Sequence, residues 1–162
     1  MKRIICHWTA GTHKASSEDL KHYHIVIDGD GTIHKGLYKI EDNESTADGK
    51  YAAHTRGCNT GSIGVSLACM ANAVENPFSS GTYPMTKIQF DKLVELVAEL
   101  SATYRIPVTP KTVLTHAEVE KNLGIKQKGK WDYTRLSFAP DIKGADACGN
   151  YLRNRVKEKL ND

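Results

Sequence analysis

The segment from Val113 to Asp132 places the strongest constraint on how this 162-residue chain can fold. A short apolar run predicts a strand that ends before His116, a brief helical segment follows, and a loop rich in glycine and lysine then carries Lys130 and Asp132. If that loop folds back, His116 and Asp132 meet at one point, and both side chains can bind a metal ion. One histidine and one carboxylate do not complete a metal site, so a third ligand has to come from another rigid element.

The best candidate for that third ligand is His7, at the end of a strand predicted from Arg3 to Trp8. Strand ends that face a cleft are common places for binding sites. A lone histidine is more often an ordinary core or surface residue, however, and the chain contains seven histidines. The pattern alone therefore leaves other candidate ligands, namely His24, His34 and His54.

Short strands and helices predict an α/β fold, in which residues 1–162 form a single domain with a central mixed β-sheet flanked by helices. Strands are predicted at 3–8, 23–28, 32–36 and 62–69 in addition to the one before His116, and helices at 16–21, 86–104 and 146–160. The helix from 86 has the clearest start, because Thr86 and Gln89 form a capping box ahead of a 3.6-residue apolar stripe. Residues 38–51 are polar and predict a long surface loop. Gly64, inside a predicted strand, allows another part of the chain to approach the backbone closely.

Composition and charge narrow the class of protein. The formal net charge of +3 is too small to predict nucleic-acid binding, and no stretch reaches the ~20 apolar residues of a membrane span. Residues 1–7 lack the apolar length and cleavage site of a signal peptide, which predicts synthesis in the cytoplasm. The four cysteines form no Cys-x-x-Cys pair and are predicted to be buried free thiols. We expect a monomer.

Convergence of His7, His116 and Asp132 would create a hydrolytic rather than a structural metal site. Two imidazoles and one carboxylate leave a tetrahedral Zn²⁺ with one open position. Zinc lowers the pKa of a bound water to about 7, so that it can attack an amide carbonyl at neutral pH. The attack builds negative charge on the carbonyl oxygen, and a nearby cation stabilises that charge. Lys130, two residues before Asp132, projects to the same side of an extended loop and is the candidate for this role.

Five blocks of sequence, in this order, resemble those of the type-2 N-acetylmuramoyl-L-alanine amidases, a family that includes phage endolysins and peptidoglycan recognition proteins. The blocks are residues 4–10, residues 23–31, His54 with Asn59 and residues 62–65, residues 115–116, and residues 130–132. Each block is loose alone, but five in the right order are specific to the family.

The resemblance implies a zinc-dependent enzyme that hydrolyses the amide bond between N-acetylmuramic acid and L-alanine in peptidoglycan. The zinc ligands implied by the matching motifs are His7, His116 and Asp132. The implied catalytic residues are Tyr23, near the metal, and Lys130, which stabilises the transition state. The residues assigned to substrate binding are His54, Arg56, Asn59 and Trp8.

Two positions depart from the family pattern. Tyr133 stands where many relatives have proline after the aspartate, and Ser66 stands where the cytosolic recycling amidases carry a catalytic glutamate. The second departure favours a phage or prophage endolysin, which waits in the cytoplasm and acts on the cell wall after a separate membrane lesion. Glu118 occupies a position that is often acidic in the family, and we expect it to cap the helix or support a ligand.

Three alternatives remain open from sequence. The first is a non-catalytic peptidoglycan-binding module, although such modules typically lack the third zinc ligand. The second is a cytosolic amidase that recycles muropeptides. The third is a thiol hydrolase that uses Cys6, which is disfavoured because Cys6 lies in an apolar run and points to the opposite face of its strand from His7.

Overall fold

A five-stranded mixed sheet forms the centre of the protein in this computed structural model, which describes all residues from 1 to 162. The strands, in chain order, are β1 Arg3–Trp8, β2 Ile25–Ile27, β3 Ile33–Lys35, β4 Ser62–Leu67 and β5 Val113–Thr115. Their order across the sheet is β3-β2-β4-β1-β5. Only β3 is antiparallel, and it closes a hairpin with β2. The predicted α/β fold with a central mixed sheet is confirmed.

Four α-helices flank the sheet, as the sequence predicted. They are α1 Ser17–His22, α2 Lys87–Tyr104, α3 Val119–Leu123 and α4 Ala145–Leu160, and 3-10 helices span Ile40–Glu44 and His116–Glu118. Thr86 and Gln89 form the predicted capping box, with each side chain bonded to the backbone of the other residue. No helix has the length and apolar character needed to cross a lipid bilayer.

The two faces of the sheet have different neighbours. Alternate residues of β1, namely Ile4, Cys6 and Trp8, join the main apolar core together with residues of α2 and α4. Ile5 points the other way and joins a small cluster with Leu114 of β5 and two further residues. His7 follows the direction of Ile5, so it lies on the face that α2 and α4 do not cover. All four cysteines are buried and unpaired, as predicted.

The strands predicted at 32–36 and 62–69 are shorter in the structure, at Ile33–Lys35 and Ser62–Leu67, and two further segments differ for a specific physical reason. The strand predicted at 23–28 begins only at Ile25, because the backbone N–H of Tyr23 still bonds to the Asp19 carbonyl and ends α1. The predicted surface loop 38–51 contains the 3-10 helix Ile40–Glu44. Asn43 of that helix is fully buried. Its side-chain nitrogen donates to the Ala52 carbonyl oxygen, and its side-chain oxygen accepts from the Ala52 backbone N–H.

Candidate metal centre

Three predicted metal ligands meet at one edge of the sheet. His7 is the next-to-last residue of β1, and His116 directly follows β5, the parallel neighbour of β1. The carboxyl ends of parallel strands share an edge, so the two histidines come together. Asp132 reaches them from the loop between α3 and α4. His7 Nδ1 is 3.0 Å from His116 Nδ1, and Asp132 Oδ2 lies 3.9 Å and 3.8 Å from these two nitrogens.

These three side chains, called here the ligand cluster, are buried, and of the other candidate histidines only His54 contacts them, through His7. Their relative exposures lie between 0% and 7%. His24 bonds to the side chain of Asn43, and His34 bonds to the carboxylate of Asp28, so neither joins the cluster. The ligand cluster is the one group of three histidine, cysteine or carboxylate side chains whose ligand atoms all lie within 4.8 Å of one another.

A chain of hydrogen bonds fixes the proton on His7. The carbonyl oxygen of Ser62 can only accept, so His54 Nε2, 3.2 Å away, carries a proton. His54 Nδ1 is therefore without a proton and accepts from His7 Nε2 at 3.0 Å. The Thr55 hydroxyl lies 2.8 Å from the same His54 nitrogen and can donate a second hydrogen bond to it, in agreement with an unprotonated Nδ1. The Nδ1 atom of His7 is left with a free electron pair that points into the ligand cluster.

A second chain of hydrogen bonds fixes the proton on His116. Its Nε2 atom lies 2.8 Å from Oε1 of Gln127, whose amide nitrogen donates to the Arg56 carbonyl oxygen at 2.7 Å. Because that carbonyl can only accept, the amide group cannot be turned round, and His116 Nε2 must be the donor. The Nδ1 atom of His116 therefore also presents an electron pair to the ligand cluster.

The protonation pattern of the ligand cluster fits a metal ion. Two unprotonated nitrogens 3.0 Å apart, with a carboxylate beside them, repel one another unless a cation lies between them. Two histidines and one carboxylate suit Zn²⁺ and leave one position of a tetrahedral arrangement open. The cluster could therefore hold a metal ion, and its donor set fits zinc.

Burial controls the acid–base properties of the cluster. Burial, followed by the neighbouring His116 and His54, holds the pKa of His7 well below its usual value, so its ring stays neutral. Burial also lowers the pKa of His54 to about 3. Burial raises the pKa of Asp132, although His116 and the Trp8 backbone N–H oppose this effect. A buried carboxylate is costly on its own, and a bound cation would offset that cost.

The ligand cluster opens into a groove of about 670 Å³. Eight of the nine residues that the sequence assigned to the site line this groove: Trp8, Tyr23, His54, Arg56, Asn59, His116, Lys130 and Asp132. The ninth, His7, is fully buried. The structure brings all nine residues together, and the role of each stays a prediction.

The two predicted catalytic residues lie close to the ligand cluster. The ring centroid of Tyr23 is 5.2 Å from that of His7. Burial and then the Asp132 carboxylate raise the pKa of the Tyr23 phenol, so the hydroxyl stays protonated and can donate a hydrogen bond. Lys130 is exposed at the groove, and its positive charge contributes to lowering the pKa of His7.

The four predicted substrate-binding residues differ in what they present to the groove. Arg56 is exposed and forms no ion pair. The side-chain oxygen of Asn59 accepts from two backbone N–H groups of its own loop, so it holds the position of His54. Trp8 is only 5% exposed, and its ring packs edge-on against Trp131 at a centroid distance of 4.8 Å.

Tyr133, which departs from the family pattern, makes contacts that the sequence did not indicate. Its hydroxyl donates to the His7 carbonyl oxygen at 3.0 Å, and its ring stacks on Trp8 at 5.8 Å. Its φ of 71° is a left-handed value that proline, which is fixed near −65°, cannot adopt. The loop that carries Asp132 therefore follows a path that a proline at this position would not allow.

Glu118 caps the turn that carries His116, as expected, and has a partner that the sequence did not indicate. Its Oε1 accepts from the Thr115 backbone N–H at 3.1 Å. Arg153 of α4 contacts both carboxylate oxygens at 2.9 Å and also donates to the Val113 carbonyl at 3.1 Å. The helical periodicity around Arg153 gave no signal for this buried ion pair.

Two further residues bear on the alternatives. Burial, and then Glu118, raises the pKa of the Cys6 thiol to about 12, which argues against Cys6 as a nucleophile. Ser66 of β4 pairs in register with His7 of β1. The Ser66 hydroxyl is fully buried and lies beside the Tyr23 phenol, whose pKa it lowers against the effect of burial.

Comparison with protein families gives one match. A family model described as N-acetylmuramoyl-L-alanine amidase matches residues 1–133. Among proteins of curated function, none matches the sequence.

Solved structures resemble the fold at low sequence identity. The amidase LysC from Clostridium intestinale URNW is 17% identical with a TM-score of 0.53, over 99% of this chain and 85% of that one. PlyL is 16% identical with a TM-score of 0.54, over 98% of this chain and 84% of that one. The amidase AmiD from E. coli is 20% identical with a TM-score of 0.52, over 72% of this chain. The match covers 48% of AmiD, so the chain spans about half of its length.

Proposed function

The chain belongs to the N-acetylmuramoyl-L-alanine amidase family, and on that premise we propose that it is a zinc-dependent hydrolase of the amide bond between N-acetylmuramic acid and L-alanine in peptidoglycan. The predicted class of enzyme, an amidase, is confirmed by the family. The observation that carries the zinc proposal is the convergence of His7 Nδ1, His116 Nδ1 and Asp132 Oδ2, in which the hydrogen-bond partners of the two rings assign the protons to the outer nitrogens.

The groove supplies groups suited to amide hydrolysis around that cluster. Zinc, when bound, supplies a Lewis acid that activates water for attack on the amide carbonyl. Lys130, which lines the same groove, offers a positive charge that can stabilise the carbonyl oxygen as it becomes negative. The protonated hydroxyl of Tyr23 offers a hydrogen bond to the attacking water or to the carbonyl oxygen.

The charge of the groove is consistent with a peptidoglycan substrate. Arg56, Lys128 and Lys130 line it, whereas Asp132 of the ligand cluster is its one acidic residue. Stem peptides carry free carboxylates, which exposed cations attract. The E. coli amidase AmiD has been solved with a muramyl peptide as its substrate.

We also propose that the protein acts as a phage or prophage endolysin and reaches the wall after release from the cytoplasm. Ser66 supports this role over muropeptide recycling, because recycling members of the family carry a glutamate at that position. Comparison of hydrolysis rates on intact sacculi and on soluble anhydro-muropeptides separates the two roles. A marked preference for soluble fragments would favour recycling.

The test of the zinc proposal combines metal content with product analysis. The native protein is expected to bind about one zinc ion per chain and to release L-alanine-terminated peptides from sacculi. A chelator is expected to abolish hydrolysis, and added zinc to restore it. Asp132→Ala is expected to lose both zinc and hydrolysis, whereas Asp141→Ala, which removes an exposed carboxylate outside the groove, keeps both.

Three outcomes contradict the proposal. Full hydrolysis by metal-free protein would exclude a zinc enzyme, and loss of hydrolysis in Cys6→Ala with zinc still bound would favour the thiol mechanism. Stoichiometric zinc without any hydrolysis would instead indicate a peptidoglycan-binding module.

A further inference from the structure

Gln127 connects three segments around the ligand cluster, although no motif in the sequence points to it. It lies in the lysine-rich loop that follows α3 and is partly exposed. Its side-chain oxygen meets His116 Nε2 at 2.8 Å, and its side-chain nitrogen donates to the Arg56 carbonyl at 2.7 Å. Its own backbone N–H donates to the Glu120 carboxylate at 2.8 Å, which anchors the loop to α3.

The orientation of the Gln127 amide is fixed from outside the ligand cluster. The Arg56 carbonyl has no proton to donate, so it accepts only the NH₂ group of Gln127. The oxygen of the amide must then face His116, and it accepts the Nε2 proton. A backbone carbonyl in a different loop thereby determines which nitrogen of His116 is free.

The two histidines of the cluster differ in the burial of the group that accepts the Nε2 proton. The partner of His7 is His54, which is 7% exposed and is itself bonded to the Ser62 carbonyl. The partner of His116 is a single side chain in a surface loop. Without Gln127, water would face His116 Nε2, and water can donate as well as accept.

We infer that Gln127 is a positioning residue for His116, which holds the imidazole as the tautomer whose Nδ1 is free to bind the metal ion. The expected effect on metal affinity rests on the proposed zinc function, whereas the tautomer of His116 is tested without any metal. A partner for the outer nitrogen of a histidine ligand commonly affects metal affinity by 10–100-fold. The same side chain also ties the loop of Arg56 to the lysine-rich loop across the groove.

Two substitutions separate these two contributions. Gln127→Met keeps a similar volume but can neither accept from His116 nor donate to Arg56. Gln127→Glu keeps an oxygen that accepts from His116 but loses the donor to the Arg56 carbonyl. If Gln127 acts by orienting His116, the glutamate variant behaves like the native protein in metal binding, and the methionine variant does not.

The first readout needs no metal. Two-dimensional ¹⁵N correlation spectra of the histidine rings, recorded on metal-free protein in mildly alkaline buffer, distinguish the two neutral tautomers of His116. The native protein and Gln127→Glu are expected to show the proton on Nε2, and Gln127→Met is expected to show a mixture. A change confined to global stability would leave this spectrum unaltered.

The second readout is zinc affinity, measured by competition with a chromophoric chelator. Gln127→Met is expected to bind zinc 10–100-fold more weakly than the native protein, with Gln127→Glu close to native. Lys126→Met serves as the matched control, because it changes an exposed residue of the same loop that does not line the groove.

The outcomes distinguish this inference from the proposed function. A single Nε2-protonated tautomer in Gln127→Met, or zinc affinity in Gln127→Met equal to that of Lys126→Met, would overturn the positioning role. Failure of the native protein to bind zinc would contradict the proposed function, while the tautomer of His116 in the metal-free variants would still decide the role of Gln127. Urea unfolding of each variant verifies that it is folded under the conditions of measurement.

Discussion

At the scale of single residues, Tyr133 links two members of the ligand cluster. It follows Asp132 directly, and its hydroxyl bonds to the His7 carbonyl across the end of β1. Tyr133→Phe removes this one buried hydrogen bond, and we expect a loss of about 1 kcal/mol in the free energy of unfolding. Urea titration of the metal-free protein measures this loss.

The backbone at Tyr133 gives a second, stronger substitution. At φ 71°, Tyr133→Pro is sterically incompatible with the loop, so we expect a loss of about 3 kcal/mol or more and no stable zinc binding. The matched control for Tyr133→Phe is Tyr38→Phe, which should leave stability unchanged because the Tyr38 hydroxyl forms no hydrogen bond within the protein. Equal stability of Tyr133→Pro and the native protein would show that the loop is free to take another path.

The His54 ring packs so closely on Gly64 that no side chain fits there, in agreement with the close approach predicted from a glycine inside a strand. A Cβ atom added to Gly64 would lie 2.4 Å from Cγ of His54. We expect Gly64→Ala to displace the His54 ring and to lower the free energy of unfolding by about 1–3 kcal/mol. Zinc affinity should fall as well, because His54 orients His7.

A double-mutant cycle identifies the cause of that loss. In the background of His54→Ala the ring is absent, so the added methyl group of Gly64→Ala has room and its cost should largely disappear. Additive losses from the two substitutions, measured by urea unfolding, would mean that the methyl group clashes with something other than His54.

At the scale of elements, the sequence predicted local structure well wherever local chemistry decides it. β1 runs from Arg3 to Trp8 as predicted, and the capping boxes at Ser16 and Thr86 begin α1 and α2. The apolar run before His116 does form a strand, and strand ends in a parallel sheet share an edge. These features explain why His7 and His116 could be predicted to lie near each other, whereas the choice of ligands over His24, His34 and His54 came from the family resemblance.

The parts that sequence could not predict depend on contacts between distant segments. The Ile40–Glu44 helix lies in a polar stretch without periodicity and is held by the buried side chain of Asn43. Gln127 reaches Arg56, 71 residues away, and nothing in a lysine-rich loop distinguishes that glutamine from a solvated one. Arg153 is one of several charged residues in a terminal helix, and only its contact with Glu118, 35 residues away, distinguishes it from the others.

The Arg153–Glu118 pair fastens α4, which lies outside the family match at 1–133, to the turn that carries His116. Both side chains are nearly fully buried, with relative exposures of 3% and 1%. Arg153→Met would leave the carboxylate of Glu118 buried without its partner. We expect a loss of about 3–5 kcal/mol in the free energy of unfolding, measured by urea titration.

The charge left behind, rather than the lost packing, should cause most of that effect. Adding Glu118→Gln to Arg153→Met removes the unpaired charge and should recover part of the stability. Arg155→Met is the matched control on α4, because Arg155 forms surface ion pairs that contribute about 1 kcal/mol or less. If Arg153→Met costs no more than Arg155→Met, the buried pair does not anchor α4.

At the scale of the whole molecule, one face of the sheet carries the apolar core and the other carries the candidate site. The face towards α2 and α4 buries the large apolar core. The opposite face carries a small apolar cluster, the ligand cluster and the groove. His7 and His116 are 109 positions apart in the sequence, and the three ligands come from three different segments. A bound ion would therefore join segments that are distant along the chain.

Zinc binding should therefore stabilise the entire fold and not only the groove. A ligand that binds only the folded state at 100 times its Kd adds about 2.7 kcal/mol to the free energy of unfolding. For a chain of this size that corresponds to a rise of about 5–10 °C in Tm. Differential scanning calorimetry of chelated protein, before and after zinc is added back, measures this rise. Asp132→Ala should show no rise, because the third ligand is missing, and Asp141→Ala should show the full one. A Tm that zinc raises equally in Asp132→Ala would mean that the stabilising ion binds elsewhere, and the ligand cluster would then no longer explain the coupling between metal and fold.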